Sequence, residues 1–289
     1  MIIVRLKGGM GNQLFQYALG RALSLRNNTE VGLDTSFYSN PGIPVRTYDL
    51  DLFNIDAKVL SRNDIPVLRR SYGTGLFGRI VAKIRTRLMP TIGTERGFAF
   101  NEKLFSAGPN IYLDGYWQNP TYFEGYEDVI RRDLKITAQL TDSIIALQKK
   151  IEGSISVCMH VRRGDYVGNP VHDVVTPEYY TKAIELLKMK VPVIERVYVF
   201  SDDIDWCMNT FQLDIPTTFV GQEYAGERAI GHLALMQTCK HFIIPNSSFS
   251  WWAAWLGTDS AKVVIAPEQW FGNSTIDTSV RTPKDWIRI

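Results

Sequence analysis

The chain has 289 residues, of which 45% are hydrophobic and 21% charged, and its formal net charge is +2. This is the composition of a folded globular protein with one large or two moderate domains, and it excludes a disordered or collagen-like chain. The near-neutral charge also argues against a dedicated nucleic-acid binder, which is usually far more basic.

Targeting and redox signals favour a cytoplasmic protein. The longest uninterrupted apolar run, residues 251–256, is far shorter than the roughly 18 residues that a membrane span needs. Charge appears already at Arg5, whereas a secretory signal has its charge before a longer apolar stretch. The three cysteines, Cys158, Cys207 and Cys239, are far apart and odd in number, which predicts reduced thiols without metal-ligand spacing.

The first half of the chain begins with a strand, a glycine-rich turn and a helix with an apolar face. The predicted elements of this half are strands over 2–6, 31–33 and 111–113 and helices over 12–25 and 142–151. Weakly patterned polar and aromatic loops separate the second strand from Gly108.

The second half alternates strands and helices more regularly. Thr176-Pro177-Glu178 is typical of a helix start, and the apolar stripe of that helix is Tyr180, Ile184 and Leu187. The other predicted elements are strands over 154–161, 196–200, 217–220, 241–244 and 262–266 and helices from 203, over 227–239 and over 248–256. Such alternation predicts βαβ units with parallel sheets, and we expect two α/β domains facing each other across a cleft, with a boundary near residue 152.

A basic stretch runs from Arg69 to Arg96, and its apolar residues from Leu76 to Leu88 fall on one helical stripe. The stretch is either a solvated cationic face over the core or a surface helix that rests on an anionic membrane.

The glycine-rich turn Gly8-Gly9-Met10-Gly11-Asn12-Gln13 lies between a strand and a helix. A helix start of this kind offers backbone N–H groups to an anion, although a tight turn alone would also need glycine. A dinucleotide site is the rival interpretation, with Asp34 as the ribose-binding acid. Leu14 in place of the third glycine of that fingerprint weakens it.

Three polar clusters follow strands of the second half, at the edge where open parallel sheets bind ligands. In His160-Val161-Arg162-Arg163-Gly164-Asp165, one guanidinium is suited to a phosphate, and an Arg163–Asp165 pair could simply hold the loop.

In Phe200-Ser201-Asp202-Asp203, the second aspartate is predicted to cap a helix and Asp202 to be free for a nucleotide base. Asp203-Ile204-Asp205 and Asp49-Leu50-Asp51 have a carboxylate spacing that would also suit a divalent metal.

The third cluster, Asn246-Ser247-Ser248-Phe249-Ser250-Trp251-Trp252, gathers hydroxyls and an amide at a strand-to-helix junction, which is a good phosphate site. Trp251, Trp252 and Trp255 share about one side of the helix and are predicted to be core.

Taken together, the glycine-rich turn extended to Gln16 and the three polar clusters, in this order along the chain, resemble the bacterial α-1,2-fucosyltransferases of glycosyltransferase family eleven. The resemblance implies a GT-B architecture of two Rossmann-like domains, with an acceptor-binding domain over 1–152 and a GDP-fucose-binding domain over 153–289. It implies inverting transfer of L-fucose to the 2-hydroxyl of a terminal galactose on a glycan, without a required metal or other cofactor. Acceptor choice is expected in the weakly patterned region from about Ser36 to Gly108.

The resemblance also implies roles for individual residues. Arg162 would bind the β-phosphate, with His160 and Asp202 near the guanine, and Asn12 would reach the donor's phosphate and sugar. Catalysis is assigned to Arg162 and Asn12. The expected donor-binding residues are Gly9, Gly11, Asn12, His160, Arg162, Asp202, Asn246, Ser247, Ser248 and Phe249.

The acceptor hydroxyl must lose a proton, and four carboxylates are candidates for the base: Asp165, Asp114, Glu95 and Asp34. A late proton transfer to phosphate or water is the alternative to a protein base. Two other functions stay open from sequence, a nicotinamide-dependent oxidoreductase and a sugar-nucleotide-binding protein without catalysis. A peripheral contact with the inner face of the cytoplasmic membrane would give the basic stretch a purpose.

Overall fold

The computed structural model describes residues 1–39, 46–61, 64, 91–95, 97–273 and 276–289. Two compact units divide the chain, Met1–Leu134 and Lys135–Ile289. Most of the basic stretch 69–96, including its apolar stripe, lies outside the described residues. Within the described part of the chain, no helix is long and apolar enough to cross a membrane.

The first unit is built on a parallel sheet with the strand order β3-β2-β1-β5-β4. Its strands are β1 (Ile2–Arg5), β2 (Val31–Asp34), β3 (Lys58–Val59), β4 (Thr91–Thr94) and β5 (Ile111–Asp114). Its helices are α1 (Met10–Arg26) and α2 (Glu127–Asp133). Because β1 lies between β2 and β5, the chain reverses its direction of travel across the sheet beside β1, where such sheets bind ligands.

Helix α1 packs very closely on β1. Gly20 faces this strand, and a Cβ atom at Gly20 would overlap the Cγ2 methyl of Val4. The sequence places Leu14 where a dinucleotide-binding turn has its third glycine, and Gly20 provides the close helix–strand approach further along the helix.

The second unit contains a six-stranded parallel sheet with the order β11-β10-β9-β6-β7-β8. Its strands are β6 (Ser156–Val161), β7 (Arg196–Ser201), β8 (Thr217–Val220), β9 (His241–Ile243), β10 (Val264–Ala266) and β11 (Ile287–Arg288). Its helices are α3 (Asp142–Glu152), α4 (Pro177–Lys190), α5 (Ile204–Thr210), α6 (Ile230–Thr238) and α7 (Ser248–Leu256). The chain reverses direction here between β6 and β9, which are neighbours.

The division between the units falls earlier than the boundary expected near residue 152. Helix α3 packs against α6, since a Cβ atom at Gly231 would lie 2.6 Å from Cδ1 of Ile144. Gln148 Nε2 also donates to Thr238 Oγ1 at 3.3 Å. These contacts join α3 to the second unit.

A predicted helix over 227–239 is broken near its start. Arg228 and Ala229 have positive φ angles of 50° and 64°, so a short 3-10 turn precedes α6. Left-handed backbone at two consecutive non-glycine residues ends one helical segment and starts another.

Tryptophans form much of the core beside α7. Trp251 packs against Trp252, Trp255 and Trp286 at ring-centroid distances of 5.0, 6.3 and 5.3 Å. Trp251 also donates its indole N–H to the carbonyl of Arg281 at 2.8 Å. The prediction that the three tryptophans of this helix are core residues is therefore confirmed.

Candidate active site

Arg162 follows β6 directly and contacts two carboxylates. Its Nε donates to Asp165 Oδ1 at 3.0 Å, and its Nη1 lies 2.9 Å from Asp202 Oδ2. Asp202 reaches this loop because β7 pairs with β6, so their carboxyl ends are adjacent. The backbone N–H of Arg163 donates to Asp202 Oδ1 at 2.9 Å. Both oxygens of Asp202 accept from this loop, so Asp202 is not the unpaired carboxylate that the sequence suggests, and its place near the guanine stays a prediction.

Arg163 points away from these contacts. Its Nε donates to Asp203 Oδ2 at 2.9 Å, and its guanidinium lies 3.7 Å from the centre of the Trp206 ring. The proposed loop-holding pair of Arg163 with Asp165 is therefore wrong, since Asp165 contacts Arg162 instead. The two adjacent arginines therefore have different partners: Arg162 contacts Asp165 and Asp202, and Arg163 contacts Asp203 and Trp206.

Asp203 caps α5, as predicted, by accepting the backbone N–H of Trp206 at 3.3 Å. Its hydrogen bond from Arg163 holds the pKa of the carboxyl below its ordinary value. Asp49, the other carboxylate with metal-like spacing, accepts from Gln13 Nε2 at 3.1 Å. Within the described ranges, no group of three His, Cys, Asp or Glu side chains could hold a metal ion.

His160 lies one residue before the end of β6 and is buried. Burial, then the charges of Arg162 and His232, lowers its pKa to about 3. Its ring lies 6.0 Å from that of Phe249, and its Nδ1 has no hydrogen-bond partner among the described residues. His160 is consequently a neutral imidazole at physiological pH.

The segment Asn246–Ser248 lies beside Arg162 because β9 pairs with β6. Ser247 precedes α7 with an extended backbone, and its side chain makes no capping hydrogen bond. Tyr166, which follows Arg162 in the same loop, donates its hydroxyl to the carbonyl of Asn246 at 3.2 Å. The first turn of α7 therefore belongs to the same edge of the sheet as Arg162.

Asn246 itself holds two loops together. Its Nδ2 donates to the carbonyls of His172 at 3.0 Å and Trp270 at 2.9 Å. Both amide hydrogens are thus used within the protein, so Asn246 shapes the site and is not a donor of hydrogen bonds to a ligand. Ser248 and Phe249 are half-buried at the start of α7, and Ser247 is buried.

In the first unit, the glycine-rich turn connects β1 to α1. Gly8 has a φ of 79°, and a Cβ atom there would press against Asn12 Nδ2. Two buried glutamines fix the turn: Gln13 donates to the carbonyl of Thr47 at 2.8 Å, and Gln16 accepts the backbone N–H of Lys7 at 3.1 Å. The amide oxygen of Asn12 accepts from Gln118 Nε2.

Two residues that contact this turn, Arg46 and Gln118, were not predicted from the sequence. A Cβ atom at Gly9 would lie 3.5 Å from Nη1 of Arg46, so a cation covers the start of α1. Gln118 comes from the segment after β5, which pairs with β1. Both residues are distant from the glycines along the chain, so no local signal predicts their contact with the turn, and Gln118 comes close only through the pairing of β5 with β1.

The four base candidates differ in their access to a substrate. Asp34 is buried and accepts from the Tyr112 hydroxyl and the Ser36 N–H, which excludes it as a base and as a ribose-binding acid. Asp114 forms ion pairs with Arg5 and Lys7 at 3.2 and 3.3 Å. Both Glu95 oxygens accept backbone N–H groups, and the Asp165 side chain is 51% exposed.

The sequence of residues 96–289 matches the family model of glycosyl transferase family 11. The chain belongs to this family. An α-1,2-colitosyltransferase of Escherichia coli is 31% identical, with 100% of this chain and 99% of the relative covered. A galactoside 2-α-L-fucosyltransferase of Caenorhabditis elegans is 28% identical, with 91% of this chain and 71% of the relative covered.

The fold agrees with this membership. The α-1,6-fucosyltransferase NodZ, co-crystallised with GDP, superposes with a TM-score of 0.52 at 16% identity, with 88% of this family 11 chain and 91% of NodZ covered. The predicted GT-B architecture of two Rossmann-like units is confirmed. The protein is a glycosyltransferase, and neither the oxidoreductase alternative nor the non-catalytic alternative finds support in these comparisons.

Proposed function

We propose that the protein transfers L-fucose from GDP-fucose to the 2-hydroxyl of a terminal galactose, with inversion and without a required metal. The sequence motifs resemble α-1,2-fucosyltransferases, and the nematode relative carries this activity in its name. The observation that carries the proposal is the position of Arg162, between the end of β7 and the first turn of α7, where a diphosphate would meet a guanidinium and helix N–H groups.

The chemistry needs positive charge at this point. Breaking the bond between sugar and phosphate leaves negative charge on GDP, and fixed donors stabilise that charge more in the transition state than in the ground state. Arg162 would exchange its contacts with Asp202 and Asp165 for phosphate oxygens. Ser247 and Ser248 would hold the diphosphate from the other side.

Neutral His160 would contact the guanine or ribose as a hydrogen-bonding group that carries no charge. The low pKa of His160 supports this role, because a neutral imidazole has one donor nitrogen and one acceptor nitrogen at physiological pH. In the first unit, Gly9, Gly11 and Asn12 are the residues assigned to the donor's phosphate and sugar.

Asp165 is the base that we favour. It is the most accessible of the candidate carboxylates, while Asp34 is enclosed and Glu95 and Asp114 have fixed partners. Asp165 contacts the Arg162 guanidinium, so transfer of that guanidinium to the diphosphate would release the carboxylate and link base activation to donor binding. If Asp165 is the base, the decrease of kcat/KM at acidic pH should disappear in D165N, and a retained decrease would contradict this role.

The proposal is tested with wild-type protein, GDP-fucose and a panel of galactose-terminated di- and trisaccharides, with products analysed by mass spectrometry and NMR. The expected product carries an α-linked fucose on the 2-hydroxyl of galactose. Because the Escherichia coli relative is a colitosyltransferase, GDP-linked colitose belongs in the same panel. A product substituted at another hydroxyl, or preferred transfer of colitose, would contradict the proposed acceptor position or donor sugar.

A further inference from the structure

A strained turn follows β5 beside the glycine-rich turn of the first unit. Trp117 is buried and has a φ of 57°, in the left-handed region that a bulky side chain rarely adopts. Its carbonyl accepts the backbone N–H of Asn119 at 2.8 Å, so the chain doubles back within three residues. Strain of this kind persists only where surrounding contacts hold it, and it is concentrated at functional sites.

Glu95 makes the contacts that hold this turn. Its Oε2 accepts the N–H of Tyr116 at 2.7 Å, and its Oε1 accepts the N–H of Trp117 at 2.8 Å. These are charge-assisted hydrogen bonds to two consecutive backbone groups. Gly115 permits the approach, because a Cβ atom there would lie 2.6 Å from Cβ of Glu95. Glu95 therefore acts on the backbone conformation of residues 115–117.

The next residue, Gln118, links this turn to Asn12 by a hydrogen bond between their side chains. Gln118 is buried, and its Nε2 donates to Asn12 Oδ1. An amide can be turned in two ways, and this bond fixes one of them, with the Asn12 oxygen toward Gln118. Asn12 Nδ2 then lies on the side of Gly8, as its closeness to a Cβ atom at Gly8 requires.

We infer that Gln118 and Glu95 are positioning residues of the transferase: Glu95 holds the turn, and Gln118 orients the Asn12 amide so that its NH2 group is presented to the donor. The inference rests on the proposed function only in its assignment of Asn12 to the donor. It also removes Glu95 from the base candidates, because a carboxylate that accepts two backbone N–H groups is engaged in structure.

The test of Gln118 uses two substitutions with opposite demands on the amide. Q118M keeps the volume and removes the bond, and we expect kcat/KM for GDP-fucose to fall about tenfold, within the range of coupling between residues in contact. Q118E leaves an acceptor where the donor was and turns the Asn12 amide around, so we expect a larger loss than in Q118M. A loss of equal size in both variants, or of none, would overturn the orienting role.

A double-mutant cycle shows whether Gln118 acts through Asn12. If it does, N12A and N12A/Q118M have the same kcat/KM, whereas independent roles give multiplied losses. The matched control is Q148M, which removes the hydrogen bond from Gln148 to Thr238 in the second unit and should leave kcat/KM unchanged. Melting temperatures of all variants separate misfolding from loss of orientation.

Glu95 is tested by its pH profile. E95Q keeps one acceptor oxygen for the turn, and we expect a reduced kcat with the acidic limb of the wild-type profile retained. Disappearance of that limb would make Glu95 the base and overturn its assignment to positioning.

A readout without turnover keeps the inference separate from the proposed function. In ¹⁵N-labelled protein, the Asn12 side-chain NH2 signals should sharpen into one rigid environment in the wild type and become mobile in Q118M. A wild type without fucosyl transfer would refute the proposed function alone, whereas unchanged Asn12 signals in Q118M would refute the inference alone.

Discussion

At the scale of single residues, Arg162 and Arg163 show how neighbours in sequence acquire different tasks. Arg163 is held against Trp206 and Asp203, while Arg162 contacts the exposed Asp165 and the shared Asp202. An ion pair that is partly open to solvent contributes little to stability. Arg162 can therefore change partners at low cost when an anion arrives.

Replacing Arg162 with alanine should leave a folded protein with little transferase activity. The loss of one charge-assisted contact in the transition state typically costs ~2.7–4 kcal/mol, which is about a hundredfold to a thousandfold in kcat. The measurement is kcat with GDP-fucose, together with the melting temperature.

A matched control for this experiment is R196A. Arg196 begins β7 at the opposite edge of the same sheet, where its Nη1 donates to Thr218 Oγ1 at 3.1 Å. Its removal should not change kcat. Near-normal turnover in R162A would instead exclude the phosphate-binding role.

Metal removal tests whether a cation other than Arg162 is needed to stabilise the negative charge of the leaving diphosphate. Because Arg162 and the start of α7 would stabilise the leaving diphosphate, we expect EDTA to leave the initial rate of fucose transfer unchanged. A rate that falls with EDTA and returns with manganese would refute the metal-free proposal. Dialysed protein without chelator is the control for losses during handling.

At the scale of secondary-structure elements, the packing of α1 on β1 depends on Gly20. This contact fixes where α1 begins relative to the end of β1, and so where the glycine-rich turn lies. A methyl group added at Gly20 would change the packing against Val4 as well as the helix propensity, because both residues are buried.

We expect G20A to lower the melting temperature. Overpacking a buried contact typically costs about 1–3 kcal/mol, more than the roughly 1 kcal/mol that alanine gains over glycine within a helix. The control is G153A after α3, where a Cβ atom would meet the Lys149 carbonyl at an ordinary 3.5 Å. Adding V4A to G20A should relieve part of the clash; a G20A protein as stable as the wild type would contradict this account.

The elements also show what the sequence could and could not predict. The bounds of α7 and β8 were predicted correctly, because α7 has a strong apolar pattern and β8 consists of β-branched and aromatic residues, which favour strands. The two-residue strands β3 and β11 were missed, because alternation cannot be recognised over so short a length. The break at Arg228 and Ala229 was missed because neither residue type favours left-handed backbone.

The motifs of the candidate site could be predicted from the sequence, but the contacts between residues of different motifs could not. Arg162 and His160 were identified from local sequence, but the contact of Arg162 with Asp202 depends on the register of β6 and β7. Asp34 resembled an accessible acid at a strand end, and only the fold brings Tyr112 over it. Pairing between distant strands decides these contacts, and no short stretch of sequence encodes it.

At the scale of the whole molecule, the four histidines behave alike. Burial is the first cause that lowers the pKa of each of them, His160, His172, His232 and His241. A histidine of the unfolded chain binds its proton near pH 6.5. Below that value the unfolded state therefore takes up more protons than the folded state, and acid favours unfolding.

We expect the melting temperature to be nearly constant from pH 8 to 7 and to fall from about pH 6.5 to 5. Each histidine that stays neutral in the folded state contributes up to about 1.4 kcal/mol per pH unit to this loss. In H160N the decline should be shallower, since the pKa of His160 is lowered to about 3. Unchanged stability across this range would show that the imidazoles are protonated in the folded protein.

The tryptophan cluster beside α7 has a spectroscopic consequence. Six of the seven tryptophans belong to Lys135–Ile289, and four of those six pack against one another within energy-transfer distance. The intrinsic fluorescence of the protein is therefore mainly an optical probe of the second unit. Trp117 is the one indole of the other unit, so the emission that is lost in W117F would report on the turn that orients Asn12.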